Sequence, residues 1–290
     1  MLRPPAVAGQ FYAGSREGLM KEIEGCFLDD RGPKSLPKIG KDRGLKSVVA
    51  PHAGYMYSGP IAAYSYREIA GNGLADVYVI LGPNHTGIGS GVSVYPKGRW
   101  KTPLGEVEID ERIVRRIAGG IIDTEESAHA YEHSIEVQIP FLQYIHREKK
   151  FSIVPICMAM QDLKTSREVG QSIADALMDE ERRTMIIAST DFSHVGFSYL
   201  DYPKGGKRVD VYAEEQDRKA IDAILKIDPE LLIRRVEDER ISMCGYGCVA
   251  AMLFSASKLG AKEAKLLRYG SSYEVSPGDS CVGYGAIAVY

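Results

Sequence analysis

The chain has 290 residues, with 36 Lys+Arg against 39 Asp+Glu and a formal net charge of −3. Hydrophobic residues at 44% and charged residues at 26% describe a globular chain and exclude a disordered one. A chain of this size buries about 75% of its unfolded surface, so no disulfide or metal is needed to hold the fold. The near-neutral balance speaks against a nucleic-acid-binding protein or a polybasic membrane protein.

The apolar stretches, such as Val77–Leu81 and Met185–Ser189, have strand length and fall far short of the ~18 residues of a membrane span. The N-terminus MLRPPAVAGQFY has no charged start followed by an apolar core, so no secretory signal is expected. Five widely spaced cysteines without a C-x-x-C pair read as reduced thiols in a cytoplasmic protein.

Taken in chain order, residues 15–28 have helical apolar spacing at Leu19, Met20, Ile23 and Phe27, with Ser15 as N-cap. Residues 29–44 are Pro, Gly and charge without a period and read as an exposed loop. Strands are expected at 46–50, 77–82, 92–95, 152–157, 184–190 and 284–289. Helices are expected at 60–70, 110–118, 131–146, 165–179, 208–226 and 246–259, the last stopped by Gly260. Several strands are continuous apolar runs, the mark of strands covered on both faces. The expected fold is α/β: one domain over 1–290, with a mixed, mostly parallel central sheet flanked by helices.

The six histidines carry the chemical signal. His52, His85 and His194 each follow an expected strand within a few residues, and Asp191 lies three residues before His194. Ligand sites in open α/β sheets form outside the carboxyl ends of the strands, so parallel neighbours would gather these groups in one crevice. Cys244 precedes the helix expected at 246–259, where the helix N-terminus favours a low-pKa thiolate, either ligand or nucleophile. Cys26, Cys157, Cys248 and Cys281 read as small core residues. Tyr55 and Tyr57 follow His52 and are placed to line a pocket; Glu132 and His133 are candidates for the same crevice. His129–Glu132–His133 also fits H-x-x-E-H, a zinc-hydrolase pattern that needs both histidines on one helical face. His146, beside Arg147, Lys149 and Lys150, reads as a solvated helix-end residue.

The segments RPPAVAGQFY (3–12), PHAGYMYSGP (51–60), LGPNHTG (81–87), EHSIEVQIPFLQ (132–143), ASTDFSH (188–194), MCGYG (243–247) and GDSCVGYGAIAVY (278–290) together resemble the Memo family over essentially the whole chain. The resemblance implies a fold similar to class III extradiol dioxygenases of the LigB type, where two histidines and a carboxylate hold iron. Carried over by motif, His52 and His85 fall on the metal histidines and His194 on the acid/base histidine. Cys244 falls on the third ligand position, and Asp191 beside them orients a neighbour or a bound water. A thiolate in place of the carboxylate keeps iron as the first expectation and opens copper or zinc. The resemblance thus implies a metal-binding redox protein with a small-molecule or peptide ligand in its cleft. Its alternatives are a non-enzymatic peptide or phosphopeptide module using the same cleft, and the H-x-x-E-H zinc hydrolase. Prokaryotic relatives also imply a functional link to a radical-SAM protein and an AMMECR-type protein.

Overall fold

The computed structural model describes residues 1–147 and 149–290. The N-terminal segment carries a two-residue strand β1 (Leu2–Arg3) and helix α1 (Arg16–Leu28), whose N-cap Ser15 accepts from the Gly18 N–H. Strand β2 (Ser47–Ala50) leads into helix α2 (Tyr55–Gly71). This helix starts five residues before the expected Pro60 and carries that proline inside it. The ring removes a donor from the helix ladder. The carbonyl four residues back, on Met56, accepts from Arg31 instead, at 3.4 Å.

Strand β3 (Val77–Pro83) is buried throughout. A run of short strands follows: β4 (Val92–Val94), β5 (Arg99–Thr102) and β6 (Gly105–Ile109). Then come α3 (Glu111–Ile117), the two-residue β7 (Asp123–Thr124) and the short helix α4 (Ser127–Ala130). The helix expected at 131–146 is broken. Glu132 turns its carboxylate onto the His133 and Ser134 N–H groups, each at 2.8 Å, which pulls these residues off a helical path. Helix α5 (Ile139–His146) starts only where Pro140 fits its first turn.

The second half runs β8 (Ser152–Met158), α6 (Leu163–Met178), β9 (Thr184–Ser189), β10 (His194–Gly196) and α7 (Val209–Leu225). Then come α8 (Pro229–Glu239), α9 (Tyr246–Lys258), β11 (Ala264–Ser271) and β12 (Ser280–Val289). Helix α8 lies outside the sequence expectations, although Asp228 caps it and Pro229 opens it. The β5–β6 hairpin and β11 are likewise additions.

One mixed sheet of 12 strands runs through the molecule, in the order β1-β5-β6-β8-β3-β9-β2-β12-β10 along its main path. From β6 to β2 every neighbour is parallel, and β12 closes against β2 antiparallel. The α/β class and mostly parallel centre agree with the reading of covered apolar strands. Helices pack on the sheet, α6 and α9 against each other, α2 against β2 and β12. Strand β12 also carries Gly283 and Gly285, where a Cβ would meet Asp217 Oδ2 at 1.8 Å and the Phe192 ring at 2.6 Å. These glycines are there for close approach.

Candidate metal centre

Strands β3, β9 and β2 lie side by side and parallel, so their carboxyl ends open on one side of the sheet. His52 follows β2 by two residues, His85 follows β3 by two, and Asp191 and His194 follow β9. They share one cleft of about 550 Å³, whose walls include His52, His85, His133, Asp191 and His194. The convergence read from strand ends is therefore what the sheet produces.

Three imidazoles stand close enough to share an ion. One ring nitrogen each from His52, His85 and His133 lies within 4.8 Å of the others. The His85 and His133 rings stack at 4.6 Å, and His52 meets both edge-on at 5.1 and 5.5 Å. His52 is buried, while the side chains of His85 and His133 are 35% and 20% exposed toward the cleft. Cys244 is near this group: its Sγ lies 3.2 Å from His52 Nε2 and 3.2 Å from the Asp191 backbone N–H. The Cys244 loop is clipped in place by Gln161, which donates to the Cys244 carbonyl and accepts from the Gly247 N–H, both at 2.8 Å.

Glu132 organises one side of the cluster. Its carboxylate accepts from His85 Nδ1 at 2.9 Å and from the His85 backbone N–H at 2.5 Å. His133 Nδ1 stands 3.4 Å away. Burial alone would raise the Glu132 pKa, but the His85 contacts and the Ser134 N–H outweigh it and hold the carboxyl at about 2. Burial lowers His133 to about 4 against the pull of Glu132, and pushes His52 well below the ordinary imidazole value. Neutral imidazoles are the ligand form. Asp191 is raised by burial, although His194 and the backbone N–H groups of His52 and Ala53 oppose that rise; the His52 bond is 2.8 Å. His194 stacks edge-on with Tyr199 at 5.0 Å, and its Nδ1 faces the Ser242 carbonyl at 3.0 Å.

Several sequence expectations are corrected. Tyr55 does not line the cleft: it is buried, packs on Phe141 and gives its hydroxyl to the Val137 carbonyl at 2.6 Å. Tyr57, two positions on, lines it, with Phe11, Tyr199 and Tyr284. The helix dipole does not make Cys244 acidic in the metal-free chain, because burial beside Asp191 pushes the thiol up. The H-x-x-E-H pattern is not a ligand pair. The backbone leaves the helix between its histidines, and His129 turns away to Ser93 Oγ at 3.0 Å, among Tyr95 and Trp100. His146 is buried, not solvated, with Nε2 on the Tyr78 hydroxyl at 2.8 Å. His133 is the cluster member that sequence reading places only on the cleft wall.

A buried strut steadies this region. Arg3 contacts Glu136 at 2.6 Å, lies 4.0 Å over Trp100, and donates to the carbonyls of His129 and Glu132 at 2.7 and 2.6 Å. Glu136 also accepts from the Ala6 and Val7 N–H groups and the Tyr12 hydroxyl.

Among solved structures, an uncharacterized protein from Escherichia coli K12 superposes with a TM-score of 0.54 at 13% identity, covering 84% of this chain and 99% of that one. It supports the fold alone. A MEMO1 family protein of Methanopyrus kandleri is 47% identical over 99% of this chain and 98% of its own length. One from Methanothermobacter thermautotrophicus is 45% identical over 99% and 100%, and one from Sulfolobus acidocaldarius 44% over 98% of each. The family model for Memo-like proteins matches residues 3–288, and the chain belongs to the Memo family.

Proposed function

We propose that this chain is a metal-dependent redox protein that holds one ion in its cleft, iron first and copper otherwise, with zinc as a redox-inert occupant of the same donors. The observation that carries this is the His52–His85–His133 cluster, with Cys244 Sγ against His52. Three imidazoles and one thiol fit a borderline-soft ion. His52 and His85 are the two ligands common to the cluster and the family resemblance. Cys244 and His133 flank them, with Cys244 as the third ligand by motif. A bound ion would supply Lewis-acid or electron-transfer chemistry. The extradiol-dioxygenase likeness of the cleft belongs to this same reading.

The chain's own groups divide the remaining work. His194 lines the cleft with Nδ1 engaged on the Ser242 carbonyl, which leaves Nε2 to take a proton from a ligand. Asp191 fixes the His52 backbone and, through its own N–H, the Cys244 sulfur. Phe11, Tyr57, Tyr199 and Tyr284 offer aromatic walls, with Ser198, Ser272, Ser276 and Ser280 between them. No Lys or Arg is among the described residues lining this cleft, which suits a neutral aromatic ligand better than a phosphorylated one. The same walls suit the second reading, a non-enzymatic peptide cleft.

Metal analysis of anaerobically purified protein separates these. The expected result is one ion per chain, lost in His52→Ala and reduced in Cys244→Ser. Full retention of the ion in both variants refutes the site.

A further inference from the structure

One polar network reaches the cluster from inside the sheet. Ser189 ends β9, and its buried hydroxyl has three neighbours. His52 Nδ1 lies at 2.9 Å, Gln138 Nε2 at 2.8 Å and the Ser134 carbonyl at 2.6 Å. A hydroxyl owns one hydrogen and two lone pairs. The Ser134 carbonyl can only accept, so it takes that hydrogen.

The orientation of Gln138 is fixed independently. Its Nε2 also lies 3.0 Å from the Pro51 carbonyl, and its Oε1 lies 2.5 Å from the Tyr66 hydroxyl. Turning the amide over would set two oxygens against each other at Pro51. Its –NH2 group therefore spends one hydrogen on Pro51 and the other on Ser189. A single Ser189 lone pair remains, facing His52 Nδ1, and that nitrogen must bring the hydrogen.

We propose that Ser189, its hydrogen held by the Ser134 carbonyl and one lone pair by Gln138, is a positioning residue that holds His52 as the Nδ1–H tautomer and presents its Nε2 lone pair to the donor cluster. The side facing Cys244 is that Nε2, 3.2 Å from a thiol whose two acceptors are this nitrogen and the Asp191 carbonyl at 3.4 Å. His85 reaches the same tautomer by another route, since its Nδ1 faces the Glu132 carboxylate. One ligand is thus backed by a neutral hydroxyl and the other by an anion, which makes His85 the more electron-rich of the two.

The affinity arm of the test rests on the metal reading above; the tautomer arm does not. Long-range ¹H–¹⁵N spectra of histidine-labelled, metal-free protein report the His52 tautomer, and zinc(II) titration reports affinity. Wild type should show His52 protonated at Nδ1 alone. Ser189→Ala should lose that single tautomer and bind zinc about 10–100-fold more weakly. Ser189→Thr, which keeps the hydroxyl, should retain both. If Ser189→Ala does not fold, Ser189→Val, which has the shape of the threonine variant without its hydroxyl, serves, and the same loss is expected. Protonation of wild-type His52 at Nε2, or an unchanged tautomer in the variants that lack the Ser189 hydroxyl, whatever the affinity, overturns the proposal. A wild type with the stated tautomer, lost in Ser189→Ala, that binds no zinc refutes the metal site and leaves the positioning role standing.

Discussion

Replacing Arg3 by Met tests how the N-terminal segment supports the cluster. Arg3 and Glu136 have side-chain exposures of 2% and 0%, so solvent does not screen them. Removing the cation strands a buried carboxylate that still holds the Ala6, Val7 and Tyr12 donors. Breaking a buried pair from one side costs about 3–5 kcal/mol. At roughly 2 °C per kcal/mol for a chain of this size, that lowers the melting temperature by about 6–10 °C. The His129 and Glu132 carbonyls lose their donor as well, so the loop carrying His133 loosens. Chemical denaturation of metal-free protein, read as midpoint and slope, measures the loss. Adding Glu136→Gln removes the stranded charge and should recover part of it, because a neutral buried site lacks the desolvation cost. Arg218→Met, which breaks the exposed Arg218–Glu214 pair, is the control and should change stability by less than about 1 kcal/mol. A loss below that same value for Arg3→Met, or no recovery in the double variant, refutes the strut.

His146 provides the pH test. Burial lowers its pKa to about 4, below the unfolded value of about 6.5. The neutral ring's stability is fully present above the unfolded value and is lost as pH falls toward 4, by about 3 kcal/mol in all. Urea titrations of wild type and His146→Gln at pH 7 and pH 4 should show the variant losing less on acidification; parallel losses would remove this assignment. Gly285→Ala should cost about 1–3 kcal/mol by pressing a methyl into the Phe192 ring, and unchanged stability would mean the ring moves freely.

Much of the site is legible in the sequence because parallel, doubly covered strands announce themselves as unbroken apolar runs, and the residues just past their carboxyl ends must face one crevice. That logic places His52, His85, Asp191 and His194. It fails at 131–146, where the apolar spacing of Ile135, Ile139 and Leu142 imitates a helix. What breaks that helix is Glu132 bonding to its own backbone, a contact that periodicity does not register. His133 is hidden by this, and of Tyr55 and Tyr57, both expected on the pocket wall, only Tyr57 is there, because half a helical turn separates them and turns Tyr55 into the core. The hairpin strands Arg99–Thr102 and Gly105–Ile109 escape for another reason: at four and five residues they are too short for their alternation of charged and apolar side chains to establish a period. Helix Pro229–Glu239 does carry a start signal in Asp228 and Pro229, but its many charges mask the apolar stripe of Leu232, Ile233 and Val236.

The grouped donors sit on loops outside a sheet whose apolar interior, from Val48 and Val79 to Ile187, is complete without them. An ion would therefore arrive at a finished scaffold, unlike a zinc finger that collapses when stripped. Chelation should leave the sheet standing, and reloading should need no refolding. Which element would bind there would then be set by donor type, geometry and supply, after the chain has acquired its shape.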